Sequence, residues 1–86
     1  MTLRIDVFTG AGLVLAESGL DRVVVRRREV AHEPGSEIAI CPQHCPLLMQ
    51  TQACTMRLTR GGVTHSVAVE AGILEVVDDH LTLVVS

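Results

Sequence analysis

Cys41, His44 and Cys45 lie within five positions of one another, and Cys54 follows nine residues later. Thiolate and imidazole are the donors that tetrahedral zinc prefers, so Cys41, His44, Cys45 and Cys54 make a candidate Cys3His set. The spacing serves it poorly. Cys41-x3-Cys45 is admissible as one ligand pair, but Cys54 opens an alternating segment where a small apolar side chain is expected in any case. The same stretch could supply a thiol nucleophile, Cys41 or Cys45, with His44 as its base. Such a dyad needs the base at hydrogen-bond distance and a third group to orient it, and proximity in sequence supplies neither. The other reading of Cys41-Pro42-Gln43-His44-Cys45-Pro46 is a docking turn with incidental thiols. Pro42 and Pro46 have fixed φ and no N–H, so the turn loses little entropy when it meets a partner.

Other chemistry finds little foothold. There is no Walker-type phosphate loop, no dinucleotide fingerprint after a strand and no Gly-x-Ser-x-Gly elbow. Asp78-Asp79 suits a turn as well as a cation, and one carboxylate pair without further oxygen donors is a weak calcium site. His65 shares a strand face with Val63, Val67 and Val69 and is expected to be partly buried; His32 and His80 are expected in or beside turns, in solvent. The run Arg26-Arg27-Arg28 is expected as a solvated strand end or loop, or as the partner of Glu29 and Glu33.

The elements that must position these residues are extended. The 86 residues fit one domain with one core, residues 1–86 throughout, without a linker, repeat or low-complexity tract. Phe8 is the sole aromatic, so the core is aliphatic and rich in β-branched valine, which favours strands. A formal charge of −3 and the lack of stacking aromatics exclude a nucleic-acid surface of ordinary kind. No segment approaches the roughly 20 apolar residues that span a bilayer, and no apolar leader is visible, so a soluble, cytosolic protein is expected. Three cysteines, an odd count, fit free thiols in a reducing compartment.

The dominant period is two. Leu3, Ile5 and Val7 alternate with Arg4 and Asp6; Gly10-Ala11-Gly12 turns the chain into Leu13-Val14-Leu15; a further β segment centres on Val23-Val24-Val25 and ends at His32 to Ser36; Glu37 to Cys41 resumes it. Cys54, Met56 and Leu58 alternate with Thr55, Arg57 and Thr59 up to a Gly61-Gly62 hairpin turn. Val63 to Val69 returns, and Ile73 to Val77 and Leu81 to Val85 flank Asp78-Asp79. Leu47 and Leu48 would point to opposite faces if extended, so at most one is core. No stretch shows a helical period. The expectation is an all-β fold, an antiparallel β-sandwich or barrel of eight to ten short strands.

The order of residues resembles the N-terminal β-sandwich domain of the epsilon subunit of F-type ATP synthases, the counterpart of mitochondrial delta. The resemblance runs through Leu3-Arg4-Ile5-Asp6-Val7, Glu37-Ile38-Ala39-Ile40-Cys41-Pro42-Gln43-His44-Cys45-Pro46-Leu47-Leu48, Met56-Arg57-Leu58 and Ala71-Gly72-Ile73-Leu74-Glu75-Val76. His44 two residues after Pro42, followed by Pro46-Leu47-Leu48, is its most specific part. Members usually carry glycine where this chain has Ala39, Gln43 and Ala71, and alanine where it has Cys45.

The resemblance implies an all-β fold, a flattened antiparallel β-sandwich, and a non-catalytic central-stalk subunit that links the gamma subunit to the c-ring and couples ion translocation to ATP synthesis or hydrolysis. It implies no cofactor and no nucleotide, and a peripheral place on the cytoplasmic side of the cell inner membrane. Gamma contacts are expected at Pro42, Gln43, His44, Cys45, Pro46, Ile73 and Glu75, and c-ring contacts at Ser36 and Glu37. The family's C-terminal helical hairpin, a brake on hydrolysis, is expected to be absent. The reading from another class is a free-standing β-domain with a Cys/His zinc or thiol site.

Overall fold

The computed structural model describes residues 1–29, 31 and 35–86, so the expected positions of His32, Glu33 and Pro34 lie outside the described residues, as does Val30. Nine strands are described: β1 Leu3–Thr9, β2 Gly12–Leu20, β3 Arg22–Arg26, β4 Glu37–Ile40, β5 Leu47–Thr51, β6 Cys54–Arg60, β7 Val63–Val69, β8 Gly72–Val77 and β9 His80–Val85. They form a five-stranded sheet, β2-β1-β9-β8-β5, and a four-stranded sheet, β4-β3-β6-β7. The two layers make the expected β-sandwich. No described helix is long and apolar enough to cross a membrane.

The period of two turns into layers because successive side chains on a strand point to opposite faces. Leu3, Ile5 and Val7 on β1, Leu81 and Leu83 on β9, and Leu74 and Val76 on β8 point inward from the larger sheet. Val23 and Val25 on β3, Ile40 on β4, and Met56 and Leu58 on β6 meet them from the smaller one. Both predicted two-residue turns are present. Gly61 and Gly62 have φ of 56° and 81°, and Asp78 and Asp79 have φ of 50° and 63°. Two consecutive left-handed residues give a hairpin turn whose twist matches that of its strands.

Three features differ from the sequence reading. Pairing is antiparallel except between β1 and β9, which run parallel, with Ile5 opposite Leu81 and Val7 opposite Leu83. A parallel neighbour in this sheet comes from the far end of the chain, and no local pattern announces it. β5 is a full strand: Leu47 and Met49 turn inward, while Leu48 turns out and is 71% exposed. β2 spans nine residues and slips register between Val7 and Phe8, a bulge that hides its period.

Candidate docking surfaces

β4 ends at Ile40 in the four-stranded sheet, and β5 begins at Leu47 on the edge of the five-stranded sheet. Residues 41–46 therefore cross between layers. Gln43 takes φ 65°, a left-handed conformation that glycine adopts most readily. Its backbone N–H donates to Asp79 Oδ1 at 2.6 Å, and its side-chain amide reaches Met1 Sδ at 3.0 Å. The cross-over is thus fastened to the β8–β9 turn and to the N-terminus. His44 donates from Nδ1 to the Cys45 carbonyl at 2.7 Å, so its ring is held by the turn's own backbone rather than by a thiol.

The positions singled out for gamma contact are spread along β8 and its turn: the cross-over is fastened at Asp79, with Glu75 and then Ile73 lying progressively farther along the strand. Ile73 and Glu75 lie on the outward face of β8, where Gln50 and Leu48 of β5 stand opposite them. The turn Pro42, Gln43, His44, Cys45 and Pro46 leads into that same β5. Across the sheet one apolar row runs Leu13, Phe8, Val84 and Ile73, each opposite the next in register. Leu13, Val84 and Ile73 are half exposed, and exposed Leu48 stands in the adjacent outward line, opposite Glu75. Apolar side chains in register on an outward sheet face form a patch that solvent does not favour.

Ser36 and Glu37 lie in the other layer. Glu37 begins β4, at the end opposite the cross-over, roughly 13 Å from Cys41 at the ~3.3 Å rise of a strand. The Ser36 carbonyl accepts from Arg27 N–H at 2.8 Å. Glu37 Oε2 takes a hydrogen bond from Arg57 Nη2 at 2.5 Å, and Arg26 Nη2 stands 3.9 Å from Oε1. Arg26 also donates to the Gly35 carbonyl, and Arg28 to Gln50 Oε1. The arginine run therefore pairs with Glu37 and with carbonyl and amide oxygens instead of Glu29; Glu33 is outside the described residues.

The zinc set is not assembled. Cys41 and Cys45 are exposed on the cross-over, whereas Cys54 begins β6. β6 runs antiparallel to β3, which places Cys54 near the Arg26 end of that sheet and Cys41 near the Val23 end. Among the described residues no three His, Cys, Asp or Glu side chains converge to hold a metal. His65 is also corrected. It faces inward opposite Leu58 on the edge strand β7, but only Val67 and Val69 at the far end of that strand pack against the core, and the imidazole is exposed with Val63 beside it.

One pair had no sequence signal. Asp6 alternates outward on β1 yet is only 6% exposed, because Arg4 and His80 close over it. His80 is beside the turn and exposed, as expected, but its ring is also engaged: its Nε2–H donates to Asp6 Oδ2 at 2.7 Å. That bond, then the Arg4 guanidinium, hold the Asp6 carboxyl below the ordinary aspartate value against an opposing push from desolvation.

Comparison with known proteins agrees with this geometry. Residues 2–86 match the family described as ATP synthase, delta/epsilon chain, beta-sandwich domain. The chain is 35% identical over 82 residues to the ATP synthase epsilon chain of Alkalihalophilus pseudofirmus, covering 95% of this chain and 56% of that one. It is 33% identical to that of Bacillus licheniformis and 32% identical to that of Desulforamulus reducens, with 95% of this chain and 57% of theirs covered. It thus spans a little over half the length of these relatives. In fold it is similar to a chain in the central stalk/c-ring structure of the Tetrahymena thermophila mitochondrial ATP synthase. The TM-score is 0.71 at 13% identity, over 96% of this chain and 62% of that one.

Proposed function

The chain belongs to the delta/epsilon family of ATP synthases through its β-sandwich domain, and from that premise we propose that it is a rotor subunit joining gamma to the c-ring. It does no chemistry itself. It transmits torque from ion flow through the ring to the shaft, on the cytoplasmic side of the inner membrane, with no nucleotide or cofactor of its own.

The observation that carries this reading is the outward apolar row Leu13, Phe8, Val84 and Ile73 on the outer face of the five-stranded sheet. A coupling element must not slip, and a sheet in which Ile73 and Val84 are presented by paired strands deforms little under load. Gamma is placed on this face, against Ile73, Glu75 and the turn Pro42 to Pro46. The c-ring is placed at Ser36 and Glu37 in the opposite layer, so that one rigid body spans both partners.

The test is co-expression with the gamma subunit of the same complex, followed by purification of the pair. A stable complex is expected, and it is expected to survive Cys41→Ser, Cys45→Ser and Cys54→Ser together, because no thiol is needed for docking. Failure of the unmodified chain to co-purify with gamma would end the proposal.

A further inference from the structure

The outward face of the four-stranded sheet carries a charge opposite to that of the molecule. Arg22 and Arg26 alternate outward on β3 and Arg57 on β6, and the register sets Arg57 opposite Val24, between them. Glu37, opposite Arg26, is the one carboxylate on the described strands of this face, leaving two positive charges in excess in a chain of formal charge −3. The remaining outward positions, including Thr55, Thr59, Thr64 and Ser66, are small and uncharged. Among other acids near the ends of these strands, Asp21 is occupied at the corner, accepting from Gly61 N–H at 2.7 Å; Glu29 lies three residues beyond Arg26, where its backbone N–H donates to Gln52, and Glu70 follows the end of β7.

We infer that this face docks an acidic segment of a partner protein, one that offers at least two carboxylates to Arg22, Arg26 and Arg57. Glu37 already shows the mode of binding: its carboxylate lies between two guanidiniums, whose planar forks match carboxylate geometry. A cleft of about 250 Å³ opens beside it, lined by Arg26, Glu37, Ala53, Cys54, Thr55 and Arg57, with room for an incoming side chain. A bilayer surface fits less well. Interfacial binding draws on apolar side chains that insert, and Val24, the large apolar residue that points outward here, is only 8% exposed. The charges of this face carry the inference, which does not depend on the rotor reading.

The test uses the isotopically labelled 86-residue protein and a capped hexaglutamate peptide at roughly 0.01 M salt, where the screening length is about 30 Å. Amide shifts are expected on β3, β4 and β6 and are expected to vanish near 1 M salt, where it is about 3 Å. Arg22 makes no side-chain hydrogen bond or ion pair among the described residues, so Arg22→Gln leaves the fold intact. It is expected to weaken binding on the order of threefold, the scale of one exposed pair. Glu37→Gln frees the two guanidiniums and is expected to strengthen binding by a similar factor. Shifts on the other sheet, indifference to both variants, or binding to phosphatidylglycerol vesicles but not to the peptide would each overturn the inference. Loss of gamma binding in the earlier test leaves this result standing, so the two proposals fail separately.

Discussion

His80 Nε2 lies 2.7 Å from Asp6 Oδ2, and the bond ties together β9 and β1, the parallel pair at the centre of the five-stranded sheet. A carboxylate can only accept, so this ring nitrogen carries the proton. Arg4, opposite His80 in register, closes the other side of the carboxylate at 3.4 Å.

Asp6 makes stability depend on acid. Its pKa is lowered in the folded chain, so the stabilisation is complete above the unfolded value of about 3.9 and is lost as pH falls from there through the lower folded value. Denaturant melts between pH 5 and pH 2 are expected to show this loss in the natural chain and a shallower one in Asp6→Asn. Equal slopes would mean that the pair contributes nothing to folding.

Gln43 occupies a left-handed conformation that costs an ordinary residue about 1 kcal/mol or more. Gln43→Gly is expected to be neutral or stabilising by up to ~1 kcal/mol, since it relieves φ but loses the amide contact with Met1. Gln43→Val, β-branched at the same φ, is expected to destabilise. Thermal melting of the two variants distinguishes strain from a merely tolerant turn.

Thr51 is 2% exposed, and its Oγ1 has no hydrogen-bond partner among the described residues. Replacing a buried, unpaired hydroxyl with a methyl removes a desolvation cost of roughly 1–3 kcal/mol. Thr51→Val keeps the shape and the β propensity, so it is expected to raise the midpoint of urea unfolding. A fall in the midpoint would show that the hydroxyl is satisfied.

Gly72 begins β8 opposite Val85, and a Cβ there would run into the Val84 carbonyl oxygen. The obstacle is backbone and cannot swing away. Gly72→Ala is expected to push β8 from β9 and cost about 1–3 kcal/mol. Increased amide exchange along Ile73 to Val77 is the matching local signature.

Ile73 and Val84 pair on the outer apolar row and are each 50% exposed. Threonine keeps the β-branch and strand propensity, so Ile73→Thr with Val84→Thr is expected to move the melting temperature little. If gamma covers this face, the lost apolar burial weakens the complex by about 1–2 kcal/mol per residue, roughly tenfold each. Unchanged affinity would place gamma elsewhere.

Much of the fold was legible because it is local. Alternation at Cys54, Met56 and Leu58, the Gly61-Gly62 and Asp78-Asp79 turns, and the aliphatic core all follow from side-chain period and turn chemistry within a few residues. β5 was harder to see, since Leu47-Leu48 is an adjacent apolar pair and its outward member stays exposed.

The sequence by itself determined an all-β chain of short strands, because apolar residues at every second position gather on one face of a strand. That the strands divide into two layers rather than closing a barrel was decided by the tertiary structure. Nor did the sequence determine where each layer ends. His65 faces inward yet meets water because only the far end of β7 packs against the core, and Asp6 faces outward yet is covered because β9 brings His80 beside it. The tertiary structure also decided that the chain changes layer between Ile40 and Leu47, so that Glu37 begins a strand of one sheet and Leu47 a strand of the other. Period fixes a side chain's parity, whereas its exposure depends on which distant strand becomes its neighbour, and that depends on closing the whole chain.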